Sequence, residues 1–531
     1  MLISYIEDRP YLTLILSSIL LFYINLDVLP VSIMEARNFI VAREMLTENN
    51  WFLTTMNGIA RYEKPPLPSW ITSFFVSLFD NQSTWVYRLP VSVFSTMGLI
   101  GVYKLSFALS NLKTQSLYAA LILGTSFYYV VIRFEAPSDM FTHVAMIFSL
   151  YYLVRVTQEK KIIYSAVIGG LWLAASILSK GPVSLYVLWL PFIIAYAVTF
   201  KFEFKKKIGY YFIYIGLGLL LGASWYVYVR LLDPVAFLEI AETETSNWSS
   251  YNVRPFYYYW SFFIQTGIWT IPALISLAYP YFKNKVENNK LYLFSIIWTL
   301  AAVVLLSIIP EKKSRYLMPV LIPLALNTVQ IIFYFIKEKN LKFNKTLATI
   351  LLIVCLAIIV APPFVINHSF QFWLWYTSMA SFALIIGFNT TLQFSKSYLK
   401  TLVWNYFFII ILITSIGMNG VVYLQKNKSY SKTISQKAKN LPIYYYEELS
   451  PELIFASGKI SQPINFDVVL KSESLILVPG SVLSSFKNDL PEHIDKQSIE
   501  HIDLNFFNSK DDKSYKSRLQ VDLIKVLNER K

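Results

Sequence analysis

The chain has 531 residues, of which 55% are hydrophobic, 17% aromatic and only 15% charged, with a formal net charge of +14. Soluble domains carry about 25% charged residues, so this composition excludes an ordinary soluble enzyme. A single cysteine, Cys355, excludes an internal disulfide or a Cys-based metal site, and four scattered histidines (His143, His368, His493, His501) exclude an HExxH zinc helix.

Apolar runs of roughly twenty residues recur, each long enough to cross a hydrocarbon layer about 30 Å thick. The first follows Glu7, Asp8 and Arg9, with no positive leader and no small-residue cleavage site, and reads as a retained span. In chain order, spans are expected at 11–29, 86–108, 116–132, 141–156, 162–178, 183–200, 208–231, 259–281, 291–309, 316–336, 346–366, 374–392 and 401–424. This is a polytopic α-helical membrane protein with about thirteen transmembrane helices. The Lys-rich loops KFEFKKK (201–207), KNKVENNK (283–290) and KEKNLKFNK (337–345) all fall on one side of that alternation. Positive loops stay cytoplasmic, so the charge reports topology and calls for no nucleic acid partner.

The segments 30–85, 133–140, 179–182, 232–258, 310–315 and 367–373 then lie outside, together with everything after 424. Residues 1–424 form a transmembrane domain whose first outer loop is 30–85, and 425–531 form a small extracytoplasmic α/β domain with strand-like IYYYEEL (443–449) and SLILVP (474–479). No repeat of fixed period is present. GLGLLLG (216–222) lies inside a span and follows no strand, so its small residues suit helix packing rather than a dinucleotide.

The outer segments hold the unusual polar residues. EARNFIVAREMLTENNWF (35–52) mixes apolar and charged positions as an interfacial amphipathic helix would. NGIARYEKPPLPSW (57–70) carries Arg61, Glu63 and Lys64 beside three prolines, which hold the backbone extended and fix a carboxylate and an ammonium in place. RFEAPSDMFTH (133–143) brings Arg133, Glu135 and Asp139, SKGP (179–182) brings Lys180, NVRPFYYYW (252–260) brings Arg254, and PEKKSRYLMP (310–319) brings Lys312, Lys313, Arg315 and Tyr316. Loop solvation and snorkelling explain any one of these charges. The whole set, on short loops beside apolar helix ends, suits a cavity at the outer interface. Its cations would hold a phosphate, and its acids would bind a metal or activate a nucleophile. Structural ion pairs, such as Glu63 with Arg133, would give the same composition.

In order, EARNFIVAREML, NNWFLTTMNGIARYEKPPLPSW, YRLP, RFEAPSDM, SKGP and the Lys313, Tyr316, Pro319 pattern resemble the bacterial aminoarabinose transferase and protein O-mannosyltransferase superfamily, membrane glycosyltransferases of the GT-C fold. The motifs cover residues 10–330. The resemblance implies a GT-C-type architecture, a donor sugar on a polyprenyl phosphate, and transfer to a lipid or protein acceptor. Transfer would occur at the periplasmic face of the bacterial inner membrane. The acceptor would be lipid A or another surface glycoconjugate, with protein O-glycosylation as the alternative and a lipid or glycan transporter as the rival from another class. It implies Glu63 and Asp139 as metal ligands, Lys64 as a phosphate contact, and Arg254 and Tyr316 as further phosphate contacts; on charge alone, Arg61, Lys180 and Lys313 are expected to join them in holding the donor. The divalent metal would be magnesium, manganese or zinc. Glu35 and Asp139 would be the catalytic carboxylates. The family's Asp-Glu pair is Met34-Glu35 here. Either Glu35 or Asp139 therefore takes over as base, or the acceptor is already an anion and needs none.

Overall fold

A computed structural model describes residues 2–337, except for 80–82, 136 and 201–203. Beyond 337 it describes 430–437, 441–465, 473–489, 496–505 and 516–526, with scattered runs of one to three residues between 353 and 417. The helices, in chain order, are α1 (Leu2–Asp8), α2 (Pro10–Phe22), α3 (Ile33–Thr47), α4 (Leu67–Leu78), α5 (Thr84–Ser110), α6 (Lys113–Gly124), α7 (Phe127–Glu135), α8 (Pro137–Thr157), α9 (Ile162–Lys180) and α10 (Leu190–Thr199). They continue with α11 (Phe204–Leu232), α12 (Pro234–Ser250), α13 (Thr270–Ser276), α14 (Tyr279–Phe282), α15 (Asn289–Ile308), α16 (Leu321–Lys337), α17 (Tyr430–Lys437), α18 (Pro451–Ser457) and α19 (Leu483–Asp489). The strands are β1 (Thr55–Met56), β2 (Ile59–Ala60), β3 (Ile443–Tyr445), β4 (Gln462–Pro463), β5 (Ser474–Pro479), β6 (Lys496–Asp503) and β7 (Gln520–Val526).

Among the described residues six helical segments are long and apolar enough to cross a membrane: Thr84–Ser110, Pro137–Thr157, Ile162–Lys180, Lys206–Leu232, Asn289–Ile308 and Ser314–Lys337. A seventh arises if α6 and α7, bent by 51° at their junction, count together. The expected span at 259–281 is instead a series of short helices, interrupted at Gly267 with φ +64°. A Cβ there would lie 2.8 Å from Phe127 Cβ, so the break and the close approach of α7 go together. The expected spans at 346–366, 374–392 and 401–424 fall almost wholly outside the described residues.

The chain divides into two compact units. The first comprises residues 1–25, 63–67 and 89–423, and the second 26–62, 68–88 and 424–531. The division is not the linear one expected at 424, because most of the first outer loop groups with the C-terminal segment.

In the first unit, α8, α9 and α11 pack closely. Gly169 and Gly170 make this possible, since a Cβ on either would meet Tyr214 or Leu217 of α11 at about 3 Å or less. In the second unit β4, β3, β5, β7 and β6 form one sheet in that order, with β3 parallel to both β4 and β5 and the other pairs antiparallel. All six residues of β5 are buried, as a central strand requires.

Helix α3 packs on this sheet's own core with α18. Phe39 lies 5.4 Å from Phe455 and 5.1 Å from Tyr87, ring centre to ring centre. Arg43 donates to the carbonyls of Phe455 and Ile454 at 3.0 and 3.1 Å, capping the end of α18. The amphipathic interfacial helix expected over 35–52 is thus a buried helix. Glu35, Arg43 and Glu44 make internal bonds: Glu44, for example, accepts from Thr55 Oγ1 and from the backbone N–H groups of Asn57 and Gly58 at the β1–β2 turn. Proline excludes helix only at 65 and 66; Pro68 is the second residue of α4, in the first turn, where a missing N–H has no intrahelical partner to lose.

Candidate active site

Three loops of the first unit build the site. In the first, Pro137 opens α8 and places Asp139 in its opening turn, where the helix dipole favours a carboxylate. In the second, α9 ends on Lys180, because Gly181 follows at φ +73°, ψ −157°, a conformation closed to other residues. A Cβ on Gly181 would also lie 2.6 Å from the Tyr226 hydroxyl. Lys180 Nζ donates to Asp139 Oδ1, and both side chains are almost wholly buried.

The third loop is 310–320. Lys180 Nζ lies 5.2 Å from the centre of the Tyr316 ring, and the Tyr316 hydroxyl lies 3.3 Å from Glu311 Oε1. Glu311 pairs with Lys313, whose ammonium lies 4.8 Å from the Tyr251 ring centre and 5.8 Å from that of Tyr316. This loop is pinned from two sides. Val253 and Glu311 form an antiparallel bridge, with Arg254 N donating to Pro310 O at 3.2 Å, and the Tyr259 hydroxyl exchanges hydrogen bonds with the Lys313 backbone. Arg254 is therefore fixed through its backbone while its side chain stays exposed.

Glu63 and Lys64 reach the same neighbourhood through Glu244 of α12. Partial burial raises the Glu244 carboxyl above its usual range, and the Glu63 carboxylate raises it further; Lys64 opposes, as Lys313 does against Glu311. The structure thus brings Asp139, Lys180, Lys313 and Tyr316 together directly, while Glu63 and Lys64 are linked to them only through their electrostatic influence on Glu244.

Glu35 and Arg61 lie in the second unit. Glu35 completes a capping box with Ser32 and is wholly buried. Its two oxygens accept from Arg88 Nε and Nη2 at 2.7 and 3.0 Å, while Arg88 also binds the carbonyls of Leu26, Leu29 and Pro30. Both carboxylate oxygens are thus engaged and none of the side chain is exposed. Arg61 donates to the Arg37 carbonyl at 2.9 Å and exchanges bonds with Thr54 through its backbone. Arg133, the suggested partner for Glu63, binds the carbonyls of Phe22, Leu21 and Val130.

Among the described residues no group of three or more His, Cys, Asp or Glu side chains is placed to hold a metal. Asp139, one of the two expected ligands, already carries an ammonium. Glu63 stands on a separate loop from Asp139, before α4, and its Oε2 is buried.

Sequence reasoning missed His143, Glu244, Glu311 and the contact between Tyr128 and Glu135, whose oxygens lie 2.6 Å apart. The signal for His143 was present: it stands four residues after Asp139, on the same face of a helix. Glu311 stands inside PEKKSRY, next to Lys312 and Lys313.

Residues 63–226 match the dolichyl-phosphate-mannose-protein mannosyltransferase family, a stretch that holds Glu63, Lys64, Asp139 and Lys180. The chain is 26% identical to an uncharacterized protein of Aquifex aeolicus over 59% of this chain and 60% of that one. It is 22% identical to the undecaprenyl phosphate-alpha-4-amino-4-deoxy-L-arabinose arabinosyl transferase of Serratia proteamaculans, over 55% of this chain and 53% of the relative. The chain thus spans between half and two thirds of these relatives' length. The crystal structure of ArnT from Cupriavidus metallidurans bound to undecaprenyl phosphate superposes with a TM-score of 0.74 at 16% identity, covering 97% of both chains. The chain therefore shares the fold of that structure. The resemblance to the aminoarabinose transferase and protein O-mannosyltransferase superfamily, first read from the loop motifs, holds in sequence relatives and in fold alike.

Proposed function

We propose that this chain is a membrane glycosyltransferase that moves a sugar from a polyprenyl-phosphate donor to an acceptor at the periplasmic face of a bacterial inner membrane. The observation that carries the reading is the meeting of Lys180, Lys313 and Tyr316 around Asp139 and Glu311, on loops far apart in sequence. About thirteen spans and a small extracytoplasmic α/β domain at the C-terminus complete the proposed architecture.

In the transfer, the bond between the anomeric carbon and the phosphate oxygen breaks while a bond to the acceptor oxygen forms. Negative charge grows on the departing polyprenyl phosphate. Lys64, Lys180, Arg254 and Lys313 supply fixed positive charge for it and Tyr316 a hydroxyl, which is how preorganised sites lower such barriers. The carboxylates of Asp139 and Glu311 hold two of those ammonium groups in position while no substrate is bound.

Both carboxylates expected to serve as base are held in ion pairs, Glu35 by Arg88 and Asp139 by Lys180. This favours an acceptor that is already an anion, such as a phosphate of lipid A, over a protein hydroxyl that must lose a proton. The activity named for the Serratia relative makes an aminoarabinose, a pentose, the first sugar to test ahead of hexoses. Charge compensation rests on side chains in this scheme. The test is transfer by the purified protein from undecaprenyl-phosphate-linked 4-amino-4-deoxy-arabinose to lipid A, with and without a chelator. Transfer that survives chelation supports the scheme, and chelator-sensitive transfer restored by magnesium, manganese or zinc contradicts its metal-free part.

A further inference from the structure

The transfer chemistry leaves the imidazole of His143, beside the Asp139–Lys180 pair, unused. His143 is 1% exposed, and its two ring nitrogens face different partners. Nδ1 lies 2.7 Å from Ser184 Oγ, and Nε2 lies 3.7 Å from Asp139 Oδ1, the oxygen that also receives Lys180. Ser184 is in turn 3.2 Å from Thr142 Oγ1, which also contacts the Ser176 hydroxyl and carbonyl at 3.2 and 2.8 Å. Ser176, Ser184 and Thr142 are all buried.

Proton counting orders this chain. Asp139 and Lys180 already cancel one another's charge, so a cationic imidazole would have no anion left to pair with in a buried site. A neutral imidazole has one N–H and one bare nitrogen. If Ser184 gives its only proton to Nδ1, the ring proton sits on Nε2 and faces Asp139. Thr142 then donates to Ser184, and each hydroxyl uses its proton once. Ser184 sits where it does because the helix after Pro182 opens as a π-helical turn, Leu185–Trp189. That turn is held by Trp298 Nε1 on the Leu188 carbonyl at 3.1 Å and by the Tyr186 hydroxyl on the Leu305 carbonyl at 2.9 Å. Single π turns inside helices recur at functional sites.

We propose that His143 is a positioning residue: as a neutral imidazole with its proton on Nε2, fixed by Ser184, it holds Asp139 in the rotamer that aims Lys180 at the donor phosphate. The role in transfer rests on the glycosyltransferase reading; the placement of the proton does not. His143 touches neither sugar nor phosphate in this scheme and acts through the carboxylate.

Two measurements on the full-length protein in nanodiscs test it. The first is nitrogen NMR of protein labelled at histidine, with His143→Gln assigning the signal. We expect a neutral ring protonated on Nε2 whose signal moves in Asp139→Asn. A ring protonated on Nδ1, or a signal indifferent to Asp139→Asn, overturns the proposal. The second is transfer kinetics with the undecaprenyl-phosphate-linked aminoarabinose donor. His143→Leu should lower kcat about 10- to 100-fold, the scale of a misaimed catalytic group. His143→Gln, whose amide nitrogen reaches the position of Nε2, should recover most of the loss. In an Asp139→Asn background His143→Leu should add little, because both act on one lysine. A kcat unchanged in His143→Leu, or losses that simply multiply, overturns the positioning role. If the NMR result holds and the wild type transfers nothing, the transferase reading fails and the placement of His143 stands.

Discussion

Lys180, the last residue of α9, and Asp139, in the first turn of α8, form a nearly buried ion pair across the site. A buried pair is weak evidence of stabilisation, because desolvating two charges offsets most of their attraction. It is better understood as a device that keeps an ammonium charged and aimed inside an apolar wall. Lys180→Met should therefore leave donor binding measurable while lowering kcat about 100- to 1000-fold, the usual effect of removing a group that stabilises transition-state charge. Steady-state kinetics on purified protein checks this; a loss confined to KM would make Lys180 a ground-state contact only.

Gly181 sets where α9 stops. Its positive φ and the Tyr226 hydroxyl 2.6 Å from a would-be Cβ leave no room for alanine. Gly181→Ala should cost about 1–3 kcal/mol through backbone strain, read as a lower melting temperature in detergent. Transfer should fall as well, since Lys180 is the adjacent residue.

Glu35 is expected to behave as part of the frame. Glu35→Gln leaves the wholly buried Arg88 guanidinium without its anion, a change that typically costs about 3–5 kcal/mol. Thermal unfolding should shift strongly, and the fraction that remains folded should keep most of its kcat. A stable, inactive Glu35→Gln protein would return Glu35 to the role of base.

Glu244 supplies a pH signature. Its carboxyl is raised by partial burial and by Glu63, so the folded protein holds that proton more tightly than the unfolded chain. The resulting stability is present below the unfolded-state pKa and is lost as pH rises through the folded-state value. Glu244→Gln cannot ionise. Melting curves of the two proteins should coincide in acid and separate above the ordinary carboxylate range, with Glu244→Gln the more stable. Coincident curves at every pH would show that Glu63 and Glu244 do not sense each other.

The sequence carried the membrane class and the loops that hold the site, because both are written locally. Apolar length marks spans, and alternation of Lys-rich loops assigns the remaining segments to one face. Lys180, Lys313 and Tyr316 were legible for that reason. Partnership was not. That Glu35 faces Arg88, 53 residues on, and that Arg43 caps a helix more than 400 residues away, are facts of packing that no local pattern encodes. The same holds for α3. Its mixed pattern reads as interfacial, yet Arg43 caps a helix and Glu44 holds a turn, so a helix with the two side by side can be buried. The break at Gly267 was hidden by an apolar run long enough to span. His143 is legible only as half of an i, i+4 pair with Asp139 on α8; its other partner, the Ser184 hydroxyl, comes from a segment 41 residues on.

The most direct test of the central claim is mass spectrometry of the lipids of a strain lacking this protein, complemented with wild type or with Lys180→Met. The account predicts that a sugar-sized mass is lost from lipid A in the null and the Lys180→Met strain, that polyprenyl-phosphate sugar accumulates in both, and that wild type restores the first and clears the second. If neither pool changes while the protein is present in the membrane, the cluster around Lys180 does not serve sugar transfer from a polyprenyl phosphate.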